Sequence, residues 1–194
     1  GNLMLMGEHA VLHGHLAIAC AVEQRIRVCL EPLNRRELII NSALGNYQAN
    51  LDSLRDDPKL RFVLQAVRGV SDLLTDGLRL SIESEFSHTV GLGSSAAVTV
   101  AVTAALHRWI QETVNLWQSG DNTNDIDKRA VFDSARETML AVQGRGSGTD
   151  LAASTYGALI AYRVEPLEIT PLNQVPDIGL YYCGYKTPTP EVLA

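Results

Sequence analysis

The chain has 194 residues, 46% of them hydrophobic and 20% charged, with a formal net charge of −6, values that suit a folded globular protein and argue against a disordered one. A net negative chain lacks the basic field of a nucleic-acid or anionic-membrane surface, so neither partner is expected, and any anion it binds is held by local groups. Three cysteines, Cys20, Cys29 and Cys183, lack metal-ligand spacing, which argues against a disulfide framework or a zinc site and for a reducing cytoplasm. No apolar run reaches the ~18 residues of a bilayer span, and the start lacks the plan of a secretory signal. GNLMLMGEHAV opens without an initiator Met and KTPTPEVLA closes as a new element begins, so a piece of a longer chain is expected.

Residues 16–30, LAIACAVEQRIRVCL, are aliphatic and β-branched, with Ile26, Val28 and Leu30 alternating against Arg25, Arg27 and Cys29. That alternation predicts a half-buried strand. RELII (36–40) predicts another, and the polar, turn-rich stretch 41–58 a loop. From Lys59 onward, Leu60, Val63, Leu64, Val67, Val70 and Leu74 recur every three or four residues behind Asp56, Asp57 and Pro58, the pattern of an amphipathic helix. DGLRLSIESEF (76–86) alternates and predicts a strand. SSAAVTVAVTAALHRWI (94–110) is apolar nearly all round and uses small residues, as a central helix packed on a sheet does. A helix is expected over 127–143, ended by GRGSGTD, with strands at GALIAYRV (157–164) and IGLYYCG (178–184). Strands and helices interleave without an internal repeat, giving an α+β or α/β domain whose sheet is covered by helices.

Between the strand at 76–86 and the apolar helix lies VGLGSSAA (90–97). A glycine-rich turn opening a helix is an anion site, because the first turn leaves backbone N–H groups unpaired and the macrodipole favours negative charge there. A P-loop is excluded: the lysines are Lys59, Lys128 and Lys186, and none follows a glycine. Gly91, Gly93 and Ala96 satisfy the dinucleotide spacing, but the acidic residue needed about 20 positions on falls near Glu112, in helical sequence. Ser94 and Ser95 suit donation to phosphate oxygens or a hydroxyl ligand for Mg²⁺, and equally an ordinary helix cap. GEHAVLHG (7–14) sets Glu8 beside His9 in a glycine-bounded turn, and GSGTDLAAS places Asp150 directly after another. A carboxylate there can take a proton from a substrate hydroxyl or cap a helix.

Taken together, GEHAVLHG, VGLGSSAA and GRGSGTDLAASTYGALIAY, in that order over nearly the whole chain, resemble the superfamily of galactokinase, homoserine kinase, mevalonate kinase and phosphomevalonate kinase, the GHMP kinases. The resemblance implies an α+β fold, the ribosomal protein S5 domain 2-like N-terminal domain of that family, with a mixed sheet backed by helices. It implies that residues 1–194 form this ATP-binding domain incompletely, without the C-terminal domain. ATP and Mg²⁺ are the implied cofactors. Gly91, Leu92, Gly93, Ser94, Ser95 and Ala96 match the phosphate loop, Ser95 the Mg²⁺-ligand serine and Asp150 the catalytic aspartate. GEHAVLHG looks most like the mevalonate kinases, which makes Glu8 and His9 acceptor residues and mevalonate the expected alcohol, and YKTPTPEVL adds Lys186, Thr187 and Thr189 beside it. Alternatives are a phosphomevalonate kinase or another GHMP small-molecule kinase, or a non-catalytic nucleotide-binding relative; a homodimer is the expected assembly. Two positions depart from the pattern: Asn2 stands where the family's opening lysine would be, and Met139 where its Mg²⁺-ligand glutamate would be, with Glu137 two residues earlier as the substitute.

Overall fold

The computed structural model describes residues 1–115, 125–173, 177–182 and 184. In chain order its strands are β1 (Asn2–Met6), β2 (Ala17–Ala21), β3 (Ile26–Leu33), β4 (Glu37–Ser42), β5 (Gly45–Asn50), β6 (Gly77–Ser84), β7 (Leu159–Arg163) and β8 (Glu168–Leu172). The helices are α1 (Arg61–Arg68), α2 (Ser94–Asn115), α3 (Lys128–Gln143) and α4 (Thr149–Tyr156). The strands form two four-stranded sheets, β1-β2-β7-β8 and β3-β6-β4-β5. The first is antiparallel throughout; the second is mixed, because β4 runs parallel to β6.

The apolar stretch 16–30 predicts one strand but forms two, and they enter different sheets: β2 pairs with β1 and β7, β3 with β6. Residues 22–25 turn the chain between them, held where Val22 donates to the Gly1 carbonyl at 3.0 Å and Arg25 to the Glu85 carboxylate at 2.9 Å. The polar run Glu23–Gln24–Arg25 is the local mark of that turn, but nothing in it tells a turn between two sheets from one within a sheet. The expected loop 41–58 contains β5, joined to β4 by a two-residue turn that Ser42 Oγ braces by donating to the Gly45 carbonyl at 3.0 Å. As an edge strand, β5 turns only Tyr47 and Ala49 inward and is otherwise exposed, which is why GNYQAN reads as a loop. The expected strand at 178–184 does not form over 178–182, where Leu180 and Tyr182 are exposed and Tyr181 is 97% exposed. Without a packing surface, apolar alternation does not make a ladder.

Two cores result, and α2 belongs to both. Ala96 and Val100 pack with Val11, Phe132, Leu151, Ile160 and Tyr162 around the first sheet. Val102 and Leu106 pack with Leu38, Ile40, Leu64, Leu78 and Leu80 around the second, and Val98 touches both. Residues 96 and 102 lie about 120° apart on a helix of 100° per residue, so the all-round apolar character of α2 reflects a sheet on either side rather than one.

Candidate active site

The glycine loop turns directly into α2. Gly91 and Gly93 have φ of 80° and 60°, left-handed values that L side chains adopt at a cost. At Gly93 a side chain has no room either, since a Cβ would meet the Asn2 amide at 2.3 Å. The first intrahelical bond runs from Ala97 N–H to the Gly93 carbonyl at 2.9 Å, so the N–H groups of Ser94, Ser95 and Ala96 have no carbonyl of their own helix to meet. Three donors at the positive end of a 22-residue helix make a seat for an anion. Ser94 and Ser95 are half-buried at its rim, and Ala96 is buried beneath it.

Opposite stands α4, with Asp150 in its first turn between buried Thr149 and Leu151. The loop in front is pinned from below: the Tyr162 hydroxyl, rising from β7, donates to the Ser147 carbonyl at 2.5 Å, and Ser147 Oγ meets Thr149 Oγ1 at 2.9 Å. Burial pushes the Tyr162 phenol up, which keeps it protonated and donating. Burial also pushes the Asp150 carboxyl up, and the neighbouring Glu8 carboxylate pushes it further the same way. Glu8 reaches that position because Gly7 takes φ 85° where a Cβ would strike the Leu16 carbonyl at 2.5 Å, so the turn after β1 folds tightly onto β2. His9 stands at the start of the short 3-10 turn Ala10–His13 on the same exposed loop, without a side-chain cap bond.

Asn2 is 1% exposed and bridges the two halves. Its backbone N–H donates to the Leu92 carbonyl at 3.1 Å, and its amide donates to Ser154 Oγ at 2.8 Å and to the Gly93 carbonyl at 3.4 Å. On α3, Met139 packs into the first core while Glu137 is exposed. Lys186, Thr187 and Thr189 lie outside the described residues. Sequence reasoning reached the two glycine loops, Glu8 and Asp150, but not the Ser154 and Tyr162 contacts. The spacing of Ser154 four residues after Asp150 puts both on one face of a helix, a signal that could have drawn attention to Ser154 but does not name Asn2 as its partner.

Residues 61–158 match the family of the GHMP kinases N terminal domain. A mevalonate kinase of Archaeoglobus fulgidus is 38% identical over 158 residues, covering 81% of this chain and 49% of that protein. The solved mevalonate kinase of Methanococcus jannaschii shares the fold with a TM-score of 0.70 at 20% identity, over 89% of this chain and 54% of that one. A mevalonate kinase of L. major, solved in complex with R-mevalonate, gives a TM-score of 0.60 at 27% identity, over 84% of this chain and 47% of its own. The chain spans about half the length of the curated relatives it matches. The matched residues take in both the loop before α2 and the helix of Asp150, so local motif and overall fold agree, and the chain belongs to the GHMP kinase family.

Proposed function

We propose that the protein transfers the γ-phosphoryl group of ATP to the primary alcohol of a small carboxylic acid, mevalonate, in the cytoplasm. The observation that carries this reading is the pairing of an anion seat at the start of α2 with the Asp150 carboxyl, linked through Asn2. Phosphoryl transfer asks a protein chiefly to position the reactants and stabilise charge, and these groups have those capacities. The relatives named mevalonate kinase, one of them holding R-mevalonate, favour mevalonate as the acceptor.

In this reading the amides of Ser94, Ser95 and Ala96, with the loop Gly91–Leu92–Gly93, hold the phosphate oxygens. Asp150 takes or orients the proton of the acceptor hydroxyl, while Glu8 and His9, with Lys186, Thr187 and Thr189, hold the rest of the acceptor. Among the described residues no three His, Cys, Asp or Glu side chains converge as a metal cage. A magnesium ion arriving on phosphates needs only one or two protein oxygens, the remainder being phosphate and water, and the half-buried Ser95 hydroxyl at the anion seat fits that demand. Glu137 is the second oxygen we assign. A magnesium ion held by these residues would supply charge screening and alignment of the transferred group.

The test is ADP release by the full-length chain with Mg-ATP and mevalonate, phosphomevalonate or no acceptor. Release that requires mevalonate is the expected outcome. Release only with phosphomevalonate replaces the acceptor, and ATP binding without release under any condition replaces the enzyme with a nucleotide-binding relative.

A further inference from the structure

We infer that Asn2 is a positioning residue, a latch that fixes the phosphate loop against the helix of Asp150. The inference rests on the reading above for its kinetic consequence, though not for the contact itself. Asn2 opens β1, is 1% exposed, and makes its two side-chain bonds to residues 91 and 152 positions away. The amide is oriented by its partners: the Gly93 carbonyl only accepts, so the nitrogen must face it. Both hydrogens of that nitrogen are then used, one on Gly93 and one on Ser154. The fit is reciprocal, because the amide fills the space that any Cβ at Gly93 would need.

Ser154 follows Asp150 by four residues on α4, about 6 Å along the axis and about 40° around it. A continuous path therefore runs from the anion seat through the Gly93 carbonyl, Asn2 and Ser154 to the turn that carries Asp150. With a neutral amide at position 2, the link is made by hydrogen bonds and shape rather than by charge. Misplacing reacting groups by ~1 Å costs on the order of 10²-fold in rate, so a link between donor seat and acceptor carboxyl acts on turnover rather than on the binding of either partner.

The experiment uses the full-length chain with Asn2→Ala, Ser154→Ala, Ser154→Thr and the double alanine variant, read in two ways. Amide hydrogen exchange of the loop, read at Ala97, whose N–H is bonded to the Gly93 carbonyl, is expected to quicken about tenfold in each single alanine variant, as for the loss of one buried hydrogen bond, with β3 and β6 unchanged. Ser154 lies on α4, away from the loop in sequence, and because α4 also packs on α2 the double variant is what assigns the effect to the bridge through Asn2. In the second readout, kcat is expected to fall about tenfold with both KM values within about twofold, the double variant no worse than either single one, and Ser154→Thr near the parent. Unchanged loop exchange in Ser154→Ala overturns the latch, as does a fully additive loss in the double variant. If Asn2→Ala does not fold, Ser154→Ala alone decides. A parent chain that transfers no phosphoryl group to any alcohol refutes the proposed function, and the exchange readout still decides the latch.

Discussion

At the scale of single residues the proposed chemistry falls to Asp150, whose surroundings favour the neutral acid: burial first, then the Glu8 carboxylate. The sign follows directly. Between the ordinary carboxylate range and the raised value, the folded chain keeps a proton that the unfolded chain has released, so stability falls as pH rises through that window. Asp150→Asn removes the cost of ionising there. The variant is expected to melt above the parent at pH 7, with the gap closing as pH falls below about 4, measured by thermal unfolding across a pH series. The same substitution should lower ADP release about 10²- to 10⁴-fold while Mg-ATP binding stays near the parent's. A variant that melts higher yet turns over normally would leave Asp150 a buried acid without a role in transfer. Glu8, as the lesser cause, adds to the rise that burial produces.

Among the elements, α4 and its loop show how a short segment is held for work. Eight residues are too few to be stable alone, so the position of Asp150 depends on tertiary anchors, of which the Tyr162 hydroxyl on Ser147 is the deepest. Tyr162→Phe keeps the ring in the core and deletes that bond. It is expected to cost about 0.5–1.5 kcal/mol in denaturant unfolding and to lower kcat more than it raises the KM for ATP. Elements of this kind were unevenly legible. The helix α1 and the strand β6 were written in local periodicity, α2 in an apolar run of small residues, and the glycines around Ser94 and Asp150 in local spacing. The division of 16–30 between two sheets was not, because what ends β2 and starts β3 is the choice of partner strand. The edge strands β5 and β8 were missed for a related reason: little of either is buried, so the burial that writes a pattern into a strand is small. Within the site, Asn2 was visible as a departure but its bridge was not, since Ser154 is 152 positions away.

Viewed as a whole molecule, two sheets are joined by shared helices, α2 along its length and α1 through Phe62, which reaches the first core. Leu106, 1% exposed on α2, belongs to the second core, and Leu106→Ala is expected to cost about 2–5 kcal/mol. Because α2 is shared, that cost should appear equally in both cores. Fluorescence of Trp109, packed against the second core, read in a Trp117→Phe background, and hydrogen exchange of β7 in the first should report one coincident unfolding transition. Two separate transitions would show that the sheets melt independently. The sharing has a further consequence for recognition. The serines to which the proposed function gives the phosphate are the first residues of the rod that Val100, Val102 and Leu106 hold in place. A ligand gripping that end therefore draws on the whole interior for its rigidity, and the interior gains from the ligand in return: affinity at the loop and resistance to unfolding become two readings of the same free energy, tuned as much by methyl groups far from the phosphate as by the hydroxyls beside it.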